Sequence, residues 1–139
     1  MIIIETFNEE EQKDRFYSLM GPHFASLDHK KLMGGWQLYN KSNSIWFLLF
    51  EDDKLASFGA LFNNKTYLFL DCFLTLESFR KKGYAKILLT KIIELAESKR
   101  EEIRLITNNE VMFNTVSKLG FSIRSKKGSY KVMQKEIKI

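Results

Sequence analysis

The chain has one cysteine, one proline and no apolar run approaching the ~20 residues that a membrane-spanning helix requires. Each shortage excludes a class of protein. Cys72 has no partner for an internal disulfide and no second thiol for a zinc knuckle, so no oxidising compartment is implied. Pro22 stands alone, with no proline-rich linker, repeat or low-complexity segment elsewhere, which predicts one continuous domain over residues 1–139. His23 and His29 lie six apart with no carboxylate or cysteine at ligand spacing, and no metal site is expected. Met1-Ile2-Ile3-Ile4 is apolar, but Glu5 and the acidic run Glu9-Glu10-Glu11 interrupt it before a secretory leader could form. A cytoplasmic protein without membrane contact, monomeric or homodimeric, is the expectation. There is also no Gly-x-x-x-x-Gly-Lys loop and no Gly-x-Gly-x-x-Gly fingerprint, which leaves nucleoside triphosphates and dinucleotides without their usual phosphate loops.

Hydrophobic residues, by contrast, make up 45% of the 139 positions and include 12 Phe and 2 Trp, enough to fill a substantial core. The formal net charge of +5 points to an anionic ligand or partner: a phosphate-bearing cofactor, a nucleic acid or an acidic surface. Many of the lysines flank Gly83 or fall in the tail at Lys126, Lys127, Lys131, Lys135 and Lys138.

Hydrophobic patterning gives an ordered set of elements. Residues 2–7 read as a strand, and Asn8 with Glu11 resembles a capping box opening a helix that Gly21-Pro22 should stop. A short helix over Ser26 to Met33 and a short strand over Trp36 to Asn40 follow. Ser44 to Phe50, Leu55 to Phe62 and Tyr67 to Leu74 read as an antiparallel meander, turned at Asp52-Asp53 and Asn63-Asn64. A helix with Ile87, Leu88, Ile92, Leu95 and Ala96 on its apolar face comes next, then a strand over Glu102 to Thr107 and a helix from Asn109 to Leu119. Phe121 to Arg124 and Tyr130 to Ile137 form a terminal pair. Strand, helix, strand over Tyr67 to Thr107 implies a right-handed parallel crossover, so the sheet is mixed.

Between the third meander strand and its helix lies Arg80-Lys81-Lys82-Gly83-Tyr84-Ala85. The first backbone N–H groups of a helix have no intrahelical acceptor, and the macrodipole adds roughly half a positive charge there, so a phosphate can bind at such a turn. Gly83 lets the backbone approach an anion, Ala85 is too small to block it, and Arg80, Lys81 and Lys82 add formal charge. A second landmark is Asn109, placed to cap a helix that ends at Leu119-Gly120-Phe121.

With these residues in order, the chain resembles the GNAT superfamily of acyl-coenzyme A dependent N-acyltransferases. Arg80 to Ala85 fits the family's Arg/Gln-x-x-Gly-x-Gly/Ala pyrophosphate loop, preceded by Phe79, while Asn109 and Leu119-Gly120-Phe121 fit the opening and end of its next motif. The resemblance implies an α/β (α+β) fold with a mixed, mostly antiparallel sheet flanked by helices, and acetyl-CoA held between a splayed strand pair. It implies that backbone N–H groups of Lys81, Lys82, Gly83, Tyr84 and Ala85 bind the pyrophosphate with help from Arg80. Backbone groups of Phe73, Leu74 and Thr75 would pair with the pantetheine arm, and Asn109 would reach it or its mouth. The acetyl acceptor would be a small-molecule or peptide amine, entering beside the Ser26 to Tyr39 segment and the final strands. A nucleic acid is a possible partner but not the favoured one.

Attack of an amine on an acetyl thioester needs a base for the ammonium proton, a donor for the oxyanion and a proton for the departing thiolate. Asp71 is the one carboxylate inside the apolar run Tyr67 to Leu74, where partial desolvation would raise its pKa, so it is the candidate base. Glu51, Asp52 and Asp53 read as a hairpin turn. Cys72 should alternate with Asp71 across the strand, leaving at most one of them on the site. The tyrosine common in the family four residues before the glycine of Gly-Phe is Val116 here, which cannot donate a proton. That leaves Tyr84, Tyr130, water or the cofactor itself, or a thiolate that departs without help from the protein. The same departure permits a catalytically weak family member that acts as a binding module through its basic face.

Overall fold

A computed structural model describes residues 1–8, 12–26, 40, 44–99 and 101–136. Its strands are β1 (Ile2–Asn8), β2 (Ser44–Glu51), β3 (Lys54–Asn63), β4 (Leu68–Thr75), β5 (Ile103–Thr107), β6 (Ser122–Lys127) and β7 (Tyr130–Lys135). Its helices are α1 (Lys13–Phe24), α2 (Tyr84–Lys99) and α3 (Glu110–Lys118). The strands form one sheet in the order β1-β2-β3-β4-β5-β7-β6, antiparallel at every junction except β4 with β5. The expected mixed, mostly antiparallel sheet flanked by helices is therefore present. No described helix is long and apolar enough to cross a membrane.

The central strands are apolar on both faces because both faces are covered. Phe47 and Leu49 of β2 join α2 in one core, while Trp46, Leu48 and Phe50 join α1 in the other. Burial of each such side chain contributes about 1.5–3 kcal/mol. Asn40 satisfies the buried indole of Trp46, accepting from Nε1 at 2.8 Å. The β2–β3 turn has both Asp52 (φ 46°) and Asp53 (φ 68°) in the left-handed region, the backbone of a two-residue type I′ hairpin.

Three local expectations are corrected. Asn8 continues the β1 ladder opposite Ile45 rather than capping α1, which starts at Lys13 after Gln12. Gly21 and Pro22 lie inside α1, which runs on to Phe24. The ring of Phe24 packs against Phe16 and Trp46, and this burial outweighs the one helical hydrogen bond that proline removes. The apolar stripe of α2 is also rotated from the expected one: Tyr84, Leu88, Leu89, Ile92, Ile93 and Ala96 are buried, while Ile87 is exposed. The helix over Ser26 to Met33, the strand over Trp36 to Asn40 and the Glu11 half of the capping box fall almost wholly outside the described residues.

The ends of α3 follow the sequence. Asn109 accepts from the Met112 N–H at 3.0 Å, and the helix closes with Phe121 N–H to Val116 O and Gly120 N–H to Ser117 O. Val116 is fully buried in the core containing Phe121 and Met133.

Candidate active site

The site begins with a fault in a strand. Across β3 and β4, Phe58 pairs with Leu74 and Ala60 with Asp71, so Gly59 alone faces both Cys72 and Phe73. Cys72 takes φ 54° to absorb the extra residue, which makes this a β-bulge. Gly59 permits it by close approach, because a Cβ there would stand 2.6 Å from Cδ2 of Phe73. Asp71 secures the bulge by accepting the Cys72 N–H on Oδ1 at 2.7 Å.

The bulge bends β4 away from β5. The parallel pairing is confined to Leu68 with Ile103 and Phe69 with Arg104, near the start of both strands. Beyond it the rest of β4 and the end of β5 part, leaving a wedge between 70–75 and 105–107. Strand edges in such a wedge offer backbone donors and acceptors to an extended ligand. The bulge also corrects the expected alternation: Cys72 is buried on the α1 side and Phe73 packs on the α2 side. Counting from Leu70, which faces α2, Asp71 shares the α1 side with Cys72. The bulge, not the choice of one residue over the other, decides what faces the wedge.

The loop after β4 runs through a short 3₁₀ turn (Glu77–Phe79) into α2. Lys81 (φ 64°) and Gly83 (φ 79°) both adopt left-handed backbone conformations, of the kind found in turns whose amides converge on an anion. The first helical bond is from Ile87 N–H to Gly83 O, so the amides of Tyr84, Ala85 and Lys86 lack intrahelical acceptors. Arg80 donates from Nε to Thr75 O at 3.1 Å, tying the loop to the end of β4. Ser57, fully buried on β3, donates to Leu74 O at 3.0 Å and lies 2.9 Å from the Thr75 hydroxyl. Thus the loop that leads into α2 is tied through Arg80 to the end of β4 at Leu74 and Thr75.

Glu51, expected in a hairpin turn, is a participant in the loop's geometry. It lies at the end of β2 and receives the Tyr84 hydroxyl and, at 3.1 Å, Nζ of Lys82. These partners hold its carboxyl below the usual range, and the hydrogen bond to Glu51, with partial burial, pushes the Tyr84 hydroxyl up to about 12. Tyr84 is buried and committed to Glu51, while Lys82 spends its charge there rather than in the loop. The missed signals were Gly59, a glycine inside an apolar strand, and the pairing of a tyrosine with a carboxylate 33 residues away.

Across the wedge, Asn109 uses Oδ1 to cap α3 and donates its backbone N–H to the Thr107 hydroxyl oxygen at 3.0 Å. Its side-chain nitrogen makes no hydrogen bond among the described residues. Tyr130 opens β7 at the hairpin tip, half-buried and opposite Lys127. The structure therefore puts Asp71 to Ala85 together at one side of the wedge and Asn109 at the other, with Tyr130 at the neighbouring hairpin.

The acetyltransferase (GNAT) family model matches residues 4–121. A comparison with curated proteins gave no match. Among solved structures, ElaA of Escherichia coli is similar at 15% identity and a TM-score of 0.77, covering 98% of this chain and 100% of its own. The ribosomal-protein-S18-alanine N-acetyltransferase of Escherichia coli is 16% identical with a TM-score of 0.72, covering 100% and 96%. PaiA N-acetyltransferase from Thermoplasma acidophilum, solved in complex with coenzyme A, is 18% identical with a TM-score of 0.70, covering 98% and 99%. At these identities the likeness is one of fold, and it agrees with a family match over most of the sequence: the chain belongs to the acetyltransferase (GNAT) family.

Proposed function

We propose that this protein transfers an acetyl group from acetyl-CoA directly to an amine of a small molecule or peptide. The observation that carries the reading is the bulge at Cys72, which opens β4 from β5 beside an amide-lined loop. Those two features suit the two ends of one ligand. A pyrophosphate fits the hollow at Lys81 to Ala85 and the start of α2, and an amide-bearing pantetheine arm fits the backbone edge of Phe73, Leu74 and Thr75. The exposed nitrogen of Asn109 faces the same arm in this reading.

The acceptor approaches from the α1 side, where Asp71 removes the ammonium proton directly or through water. The neutral nitrogen then bonds to the acetyl carbon. A backbone N–H of residues 73–75 stabilises the oxyanion, the attacking nitrogen gives up its second proton to solvent, and the C–S bond breaks as the carbonyl reforms. A thiolate with a pKa near ~8.5 is a good leaving group and takes its proton from Tyr130 or solvent. Tyr84 is assigned no acid role, because its proton is held by Glu51.

The test is a coenzyme A release screen over amines and peptides, alongside thermal stabilisation by acetyl-CoA. Wild-type protein should be stabilised and release thiol, and Arg80→Ala combined with Gly83→Glu should abolish both. No stabilisation at saturating acetyl-CoA sinks the proposal.

A further inference from the structure

The positive charge of this protein is concentrated in one element. Residues 122–135, the β6–β7 hairpin, contain Arg124, Lys126, Lys127, Lys131 and Lys135 and no carboxylate. Their five charges equal the formal net charge of the entire chain, +5, so all other residues together sum to zero. None of the five pairs with a carboxylate among the described residues, although ion pairs occur elsewhere. Arg124 donates to Gln134 at 3.0 Å, and Lys131 rests over the Phe113 ring with Nζ 4.0 Å from the centroid.

The arrangement carries an internal cost. Lys126 stands directly opposite Lys131, and like charges at cross-strand positions repel. A glutamate at either position would relieve the repulsion. Lysines on an edge strand do discourage sheet-to-sheet aggregation, but that purpose is served by β6 alone and does not require a facing lysine on β7. An anion that binds both offsets the repulsion.

The position of the cluster gives it a role. Lys131 pairs with Thr107 at the end of β5, so the hairpin tip stands at the mouth of the wedge. Cross-strand partners share a face and neighbours alternate, hence Lys126 and Lys131 face α3 while Lys127 points to the opposite side. β6 is also the last strand of the sheet, exposed along its length. An open strand edge bearing cations on both faces fits an extended polypeptide, whose backbone can continue the ladder while its acidic side chains meet Lys126 and Lys131 on the α3 side or Lys127 on the α1 side, the side from which the acceptor amine approaches Asp71. Single-stranded nucleic acid fits less well, because it needs a row of exposed aromatic platforms, whereas the hairpin offers the half-buried Tyr130 and the nearby Phe113 ring is already covered by Lys131.

We propose that the β6–β7 hairpin docks an acidic polypeptide segment that carries the acceptor amine to the wedge. The proposal rests on the acetyl-transfer reading for the reaction but not for the docking. The test compares a peptide with a free N-terminal amine followed by alternating Glu and Ser, the same peptide with Gln for Glu, and an oligothymidylate. Each is titrated into CoA-loaded protein by anisotropy and, for the peptides, assayed for thiol release with acetyl-CoA. The Glu peptide should bind and react about tenfold better than the Gln peptide at low salt, an advantage that salt erodes. Lys126→Glu with Lys127→Glu should abolish that preference and leave stabilisation by CoA unchanged. The pair of substitutions should not lower Tm, since the first of them sets a carboxylate opposite Lys131 in place of a like charge.

Equal use of both peptides by wild type overturns the proposal, as does tighter binding of the oligothymidylate. Weakened CoA binding in the double variant also overturns it, by assigning the lysines to the cofactor. Charge-dependent peptide binding, with no thiol release from any acceptor and no stabilisation by acetyl-CoA, supports the docking and overturns the transfer reading.

Discussion

The Tyr84 hydroxyl donates to the Glu51 carboxylate, joining the first turn of α2 to the end of β2 across 33 residues of sequence. Lys82 grips the same carboxylate, so both residues flanking Gly83 are anchored outside the hollow that the loop encloses. A negative group beside an anion site opposes ligand binding by charge, and this one compensates by holding the amides in place. Glu51→Ala should weaken acetyl-CoA binding by roughly fivefold to tenfold, the scale of one or two lost hydrogen bonds, with kcat changed little. Glu51→Gln keeps an acceptor for Tyr84 and releases Lys82, so it should bind acetyl-CoA at least as well as wild type. Calorimetric titration of both variants checks the difference.

The same contact has a pH signature. Tyr84 has its folded pKa raised to about 12 from an ordinary 10, so the stabilisation is fully present below pH ~10 and is lost as pH rises toward 12. Glu51 is shifted down, so its contribution is present above the ordinary carboxylate pKa and disappears as pH falls through the lower folded value. Between pH ~9 and ~12, wild-type Tm should fall more steeply than that of Tyr84→Phe, which lacks the titrating hydroxyl. Parallel melting profiles would show that the contact does not contribute.

Gly59 and Phe73 form a matched pair. Gly59→Ala places a methyl 2.6 Å from the Phe73 ring and should cost about 1–3 kcal/mol as an overpacked site. It should also reduce activity by disturbing the bulge. Adding Phe73→Leu removes the clashing ring edge, so the double variant should recover part of the Tm lost by Gly59→Ala alone. Additive losses in denaturant melts would rule out the steric coupling.

Gly83 is required for its backbone, not for space. A Cβ there meets nothing within 4 Å, but φ 79° is a conformation that costs an L-residue about 1 kcal/mol or more. Gly83→Ala should therefore fold with a small drop in Tm while acetyl-CoA affinity falls by about tenfold, since the amides turn out of register. Tm and Kd measured on one preparation separate the two effects.

Asp71→Asn keeps an oxygen for the Cys72 N–H and should preserve the bulge. If Asp71 is the base, kcat at neutral pH should drop by about 10²-fold or more, with acetyl-CoA binding intact. An unchanged rate removes Asp71 from that role.

The long apolar strands, the basic glycine turn and the Asn109 to Phe121 helix were all readable in the sequence, because each depends on local propensity, capping or simple periodicity. Those features also carry the family resemblance. The extension of α1 through Pro22 was not readable, since a local breaker is overruled there by the packing of Phe24 on Phe16 and Trp46. The rotation of the α2 stripe depends likewise on which side of the helix meets the sheet.

The sequence by itself determined a mixed sheet, an anion-binding turn and membership of an acyltransferase family, since periodicity, caps and short motifs depend on neighbouring residues. Only the tertiary structure decided where β4 leaves β5, because the bulge arises when Gly59 on one strand meets Cys72 and Phe73 on another. It alone brought Glu51 to the loop and set Lys126 against Lys131. These relationships rest on register between distant segments, and register is set by how the whole sheet buries its faces.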